Sequence, residues 1–206
     1  MVIIFFSMSL IGCHTFKISN KKMRVLLERK STIIDQKDLD NYKKYDHAAF
    51  DDSGVYVEIM DMDNSYKKIV KEDKMSVFSF RSVFFKQTLR LKSSGQYFYE
   101  NPIGIWKAYD ENGNVVKTID FDSQYSISIN DLCKIIFNKY HVDLTVKRER
   151  QYVFRGAVNA KSRYSIYIPL LESEKKSNKR GPFQYILVDG ANGNIIKYDG
   201  NVSSIK

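Results

Sequence analysis

With 206 residues, the chain is long enough for one domain or two small ones. Its residues are 43% hydrophobic and 28% charged, proportions that exclude wholesale disorder. A formal charge of +9 admits nucleic acid, anionic lipid or plain solubility, so it selects no partner by itself.

Residues 1–13, Met-Val-Ile-Ile-Phe-Phe-Ser-Met-Ser-Leu-Ile-Gly-Cys, form an uncharged apolar run. It is shorter than the roughly 20 residues that a bilayer-spanning helix needs and suits the apolar region of a secretory signal. Leu10-Ile11-Gly12-Cys13 resembles the box of bacterial lipoprotein signals, in which a small residue precedes a cysteine that receives lipid. The resemblance implies a signal peptide over 1–12 and acyl chains such as palmitate on Cys13. Two or more such chains hold a protein stably at a membrane. The implied location is the cell envelope. No acidic cluster follows Cys13 (the next residues are His14, Thr15, Phe16 and Lys17), which favours an outer-membrane anchor facing the periplasm. Nothing after residue 13 approaches membrane-spanning length.

Residues 13–52 read as a tether with a possible helix, because Met23, Leu26 and Leu27 share helical spacing before Ser31-Thr32 breaks the pattern. Asp46 to Gly54 reads as a loop. Strand character dominates 53–125. Val55, Val57 and Ile59 alternate with polar or larger residues, and Asp61 to Ser65 reads as a turn. Further strands are expected at 76–81, 84–92, 95–100, 103–109 and 114–121. The clearest hairpin turns at Asp110-Glu111-Asn112-Gly113-Asn114, where Asn-Gly supplies the positive-φ positions.

The last region, 126–206, opens with a helix expected over 129–140. Ser128 can cap it with Asp131 three residues on, and Ile129, Leu132, Ile135, Ile136 and Tyr140 form one apolar stripe. Strands then follow at 144–158 and 162–170, and after a basic loop at 172–181 at 183–188 and 195–198. Cys133 has no partner once Cys13 is lipidated, so it is expected in the core. The fold class is α+β, mostly antiparallel sheet.

Two resemblances bear on these regions. In 95–121, Gly104, Trp106, Tyr109, Asn112 and Gly113 match a MORN-repeat variant, with a degenerate unit upstream at 76–94. That resemblance implies stacked hairpins of the kind found in uncharacterised envelope lipoproteins of Bacteroidota type, and in proteins named as antitoxin components. Residues 126–198 are similar in layout to a PepSY-type domain. Their ending, Val188-Asp189-Gly190-Ala191-Asn192-Gly193-Asn194-Ile195, resembles that family's closing hairpin. It implies a small binding or regulatory module.

No catalytic constellation stands out. Asp61, Asp63, Ser65 and Glu72 echo a calcium loop, but Tyr66 stands where a sharp turn needs glycine, and Lys67, Lys68 and Lys71 crowd it. His14, His47 and His141 have no metal spacing. The three Ser-x-x-Lys matches lack supporting motifs, and Asp120 with Asp122 reads as a solvated strand end. Neither Lys147-Arg148-Glu149-Arg150 nor 175–180 sits in a nucleic-acid motif. Tyr97, Tyr99, Trp106 and Tyr109 are the candidate interaction surface for carbohydrate or peptide, against the alternative of packing between hairpins. The expectation is a lipid-anchored, non-catalytic envelope module with an envelope-protein partner, no metal, no cofactor and no nucleic acid. The alternatives are a hydrolase acting on envelope polymers, or an immunity or antitoxin-type protein.

Overall fold

The computed structural model describes residues 32–45, 49–52, 55–170 and 183–199. Cys13, the apolar run before it, the Met23–Leu27 segment and the basic loop at 172–181 lie outside them. The described chain is α+β and mostly antiparallel. Helix α1 (Gln36–Tyr45) precedes strands β1 (Ala49–Asp52), β2 (Val55–Met62), β3 (Ser65–Lys71), β4 (Phe78–Phe85), β5 (Leu91–Phe98), β6 (Asn101–Tyr109) and β7 (Val115–Asp120). Helix α2 (Ile129–Tyr140) follows, then β8 (Tyr152–Val158), β9 (Lys161–Pro169), β10 (Phe183–Asp189) and β11 (Ile195–Asp199). Strands β1 to β7 form one sheet in sequence order, and β8 to β11 form a second in the order β11-β10-β9-β8.

Several expectations need correction. Residues 49–52, expected in a loop, are an edge strand whose backbone pairs with β2, Phe50 opposite Val57. The turn expected over 61–65 contracts to Asp63-Asn64, because Met62 and Ser65 already pair. That opens β3, a strand hidden in the sequence by Lys67, Lys68 and Lys71. The strand expected at 84–92 is instead the end of β4, a turn and the start of β5. Leu89 takes φ +56 there, and its N–H bonds the Phe85 carbonyl at 2.9 Å. The strand expected from 144 begins only at Tyr152. Before it the chain turns, with Asp143 Oδ1 accepting from the Thr145 N–H and hydroxyl and Arg150 at φ +59.

The helix at 129–140 forms for the reasons its sequence gives. The Ser128 hydroxyl accepts from the Asp131 N–H, and Asp131 accepts from the Ser128 N–H in return. His141 ends the helix in the left-handed region. The buried stripe Ile129, Leu132, Cys133, Ile136 and Tyr140 lies on the inner face of the second sheet, against Tyr164, Ile166, Ile168, Ile186 and Val188. Cys133 is thus core, and burial pushes its thiol pKa up to about 12, which makes it a poor nucleophile.

In the first sheet, α1 packs Leu39 onto Ile59, Phe84 and Leu91, with Tyr42, Tyr66 and Tyr109 at the margin. Lys68 and Asp38 pair beneath it, both largely buried. At its other end this sheet gives Val77, Phe98 and Ile103 to the core that α2 and the second sheet build. The two sheets therefore share one apolar cluster, while the cluster under α1 belongs to the first sheet alone.

The junction also meets a backbone requirement. β8 is an edge strand of the second sheet, so alternate N–H and C=O groups along its free side need partners. Buried Asn101, at the start of β6, supplies them with its amide. Its Nδ2 donates to the Val153 carbonyl at 2.6 Å, and its Oδ1 accepts from the Arg155 N–H at 2.9 Å. One side chain thus does the work of a short stretch of neighbouring strand. Arg155 then reaches back, donating to the Pro102 carbonyl at 2.9 Å and to Asp122 Oδ1 at 2.7 Å, with its guanidinium 4.0 Å from the Tyr125 ring centre. Asn101→Ala leaves a buried donor and acceptor unpaired, so the free energy of unfolding should fall by about 3 kcal/mol. Urea denaturation measures this, and a change under about 1 kcal/mol would mean water replaces the amide at this edge.

Candidate functional site

The four aromatic residues expected to share a surface do not. Tyr97 and Trp106 meet edge to face on one side of the first sheet, ring centres 5.3 Å apart. Trp106 lies flat over Gly95, where a Cβ would stand 1.8 Å from the indole nitrogen, and its N–H bonds the Gln96 carbonyl at 3.3 Å. Glycine at 95 is what lets the indole lie down. The Arg81 guanidinium covers Tyr97 at 3.7 Å and pairs with Glu100 at 2.7 Å. Tyr109 instead packs beside the cluster under α1. Tyr99, in the two-residue turn between β5 and β6 at φ +54, points into the junction. Sheet alternation and that turn separate the four, and packing accounts for the partial burial of each ring.

What the junction does build is a cavity of about 200 Å³. Lys71 at the end of β3, Ser76 and Ser79, Glu100, and Lys147 of the loop before β8 line it together with Gln151. Val77, Tyr99, Val153, Tyr152 and Phe154 supply its apolar surface. A bridge between Ser76 and Val146 ties the two flanking loops together. Tyr152 and Phe154 continue outward into a row with Tyr167, Tyr185 and Phe183 on the outer face of the second sheet.

Two features make this cavity chemically distinct. Gln151 is only 2% exposed; its Nε2 donates to the Tyr99 hydroxyl at 2.7 Å, which donates in turn to the Leu144 carbonyl at 3.0 Å. Gln151 Oε1 is left buried without a donor, a condition that costs about 1–3 kcal/mol. The second feature is charge. Neither Lys71 nor Lys147 forms an ion pair among the described residues. Burial holds the Lys71 pKa below the ordinary lysine value, and the Lys147 ammonium adds to that; Glu58 and Glu100 oppose it.

Of the other residues singled out by sequence, His14, His47 and the Ser-x-x-Lys matches at 19–22 and 173–176 lie outside the described residues, and several of the rest are held in ion pairs. Asp61 pairs with Lys86 at 2.6 Å, and Asp122 with Arg155. Lys68 of one Ser-x-x-Lys match pairs with Asp38. Among the described residues, no three His, Cys, Asp or Glu side chains form a metal-holding group, and no helix is long and apolar enough to cross a membrane. A more open cleft of about 350 Å³ runs past Arg90, Tyr109 and Asn112, but Arg90 already donates there to the Glu111 carbonyl at 3.1 Å.

Lys71, Lys147 and Gln151 were not legible as a site. Lys147 stood in a basic cluster, Lys71 in a discounted calcium-like loop, and Gln151 carried no signal. No protein-family model, curated protein or solved structure matches the chain.

Removing a neighbouring cation relieves Lys71. Lys147→Ala should therefore raise the Lys71 pKa toward the ordinary lysine value, while Glu100→Gln should lower it further. A pH titration of the lysine side-chain NMR signals checks both signs, and movement in the opposite direction would refute this charge arrangement.

Proposed function

We propose that this protein is a lipid-anchored binding module of the cell envelope, with no chemistry of its own, holding a small molecule between its two sheets. The cavity carries the reading: it gathers two lysines that form no ion pair, and one buried acceptor that meets no donor, among the described residues. Its single carboxylate, Glu100, is engaged by Arg81. A hydrolase acting on envelope polymers by paired carboxylates needs a second acid about 5–9 Å from the first, and among the described residues the cavity lining contains none. The Leu10-Ile11-Gly12-Cys13 box supports the anchor, and envelope proteins are the partners that such an anchor brings within reach.

Two measurements test this reading. Expressed with its native N-terminus in a bacterial host, the protein should lose the mass of residues 1–12 and gain acyl chains, and a Cys13→Ala variant should do neither. An unmodified wild-type mass contradicts the anchor. A fragment library screened by amide NMR should produce hits that move Ser79, Gln151 and Val153 together. A library whose hits all fall elsewhere contradicts the binding role.

A further inference from the structure

We infer that the junction cavity is a site for a small organic monoanion: a carboxylate on a ring-sized apolar body that also carries a hydroxyl or N–H donor. This rests on the binding reading above and names the class of ligand. Three observations converge on it.

The first is the charge balance. Among the described residues that line the cavity, Lys71 and Lys147 are cationic and Glu100 is the one carboxylate. Two cations against one carboxylate leave the lining with a single positive charge. Arg81 and Glu100 already satisfy each other, so the uncompensated charge belongs to the two lysines that line the cavity. A monoanion neutralises it, whereas a dianion such as phosphate would leave an excess negative charge in a partly dry site.

The second is the buried acceptor. Gln151 cannot turn its amide to satisfy Oε1 without losing the bond from Nε2 to Tyr99, whose hydroxyl proton is committed to Leu144. Only a donor from outside this network completes it. A ligand that presents a hydroxyl or N–H as well as a charge supplies that donor. The third is size and surface. About 200 Å³ corresponds to about seven waters of bulk liquid, roughly the bulk of one substituted aromatic ring, and Val77, Val153, Tyr152 and Phe154 offer an apolar bed for it.

The probe is para-hydroxyphenylacetate, which carries a carboxylate, a ring and a hydroxyl. Two compounds each remove one feature: phenylacetate lacks the donor, and para-hydroxyphenethyl alcohol lacks the charge. Calorimetry and amide NMR on the full chain in a mild non-ionic detergent should show one site for the parent, moving Gln151 and Val153. Both matched compounds should bind about ten-fold more weakly. Lys71→Gln and Lys147→Ala should each weaken the parent acid and leave the alcohol unchanged. The compound series probes the Gln151 acceptor without altering a residue that also holds Tyr99.

Equal binding of all three compounds, or a Lys71→Gln variant that binds the acid like wild type, overturns the inference. Neutral fragments that move the junction amides while the acid does not also overturn it, and leave the binding reading standing. If no compound moves those amides, both fall together.

Discussion

An edge strand cannot lie against an apolar core with its amides bare, and in this protein one asparagine side chain closes that edge. The Asn101 amide presents a donor and an acceptor at the spacing that β8 needs. The second sheet can therefore butt against the first without a continuous ladder between them. The consequence is a shared interior, in which Phe98 and Ile103 of the first sheet pack with Leu132, Ile136, Tyr164 and Ile186 of the helix and second sheet. Hydrophobic burial supplies most of the cohesion, since it scales with apolar area removed from water. The amide and the Arg155 contacts decide which geometry that burial adopts.

The cavity is a by-product of the same arrangement. Two sheets joined at a corner do not fill the space beside the joint, and the loops before β4 and β8 wall it. Tyr99 and Gln151 project into this corner from opposite regions of the chain and bond each other. Burial drives the Tyr99 pKa well above the ordinary tyrosine value, so its hydroxyl keeps its proton and serves as a relay from Gln151 to Leu144. The relay fixes the orientation of the glutamine and leaves its oxygen facing no protein donor. A structural joint thus becomes a candidate ligand seat.

The sequence carried the local parts of this fold and not the distant ones. Helix α2 was readable because cap, stripe and end all lie within a few residues, and each signal agrees with the others. The hairpin at Asp110 was readable for the same reason: its carboxylate takes the Asn112 and Asn114 N–H groups, at 2.9 and 2.8 Å, while Gly113 turns at φ +91. β3 escaped notice because its lysines break the apolar alternation. One of them, Lys68, is nevertheless largely covered, through a pairing with Asp38 that no spacing could announce. Tyr97 and Tyr99 looked like one aromatic patch, yet the turn at Tyr99 sends them to different neighbours. The site was hidden more deeply still. Lys71 and Gln151 owe their environment to a corner that forms only when two separate sheets meet.

The claim that most needs testing is that the two sheets form one cooperative unit through this joint. Urea unfolding can be followed at once by fluorescence of Trp106, the only tryptophan and a reporter of the first sheet, and by methyl NMR of Leu132 and Ile186, which report the helix and second sheet. The account predicts coincident transitions in the wild-type protein, with both probes shifting together when Asn101 is replaced. Transitions that separate in the wild type would contradict it, because the sheets would then be independent domains in contact and the cavity between them would not be a fixed site.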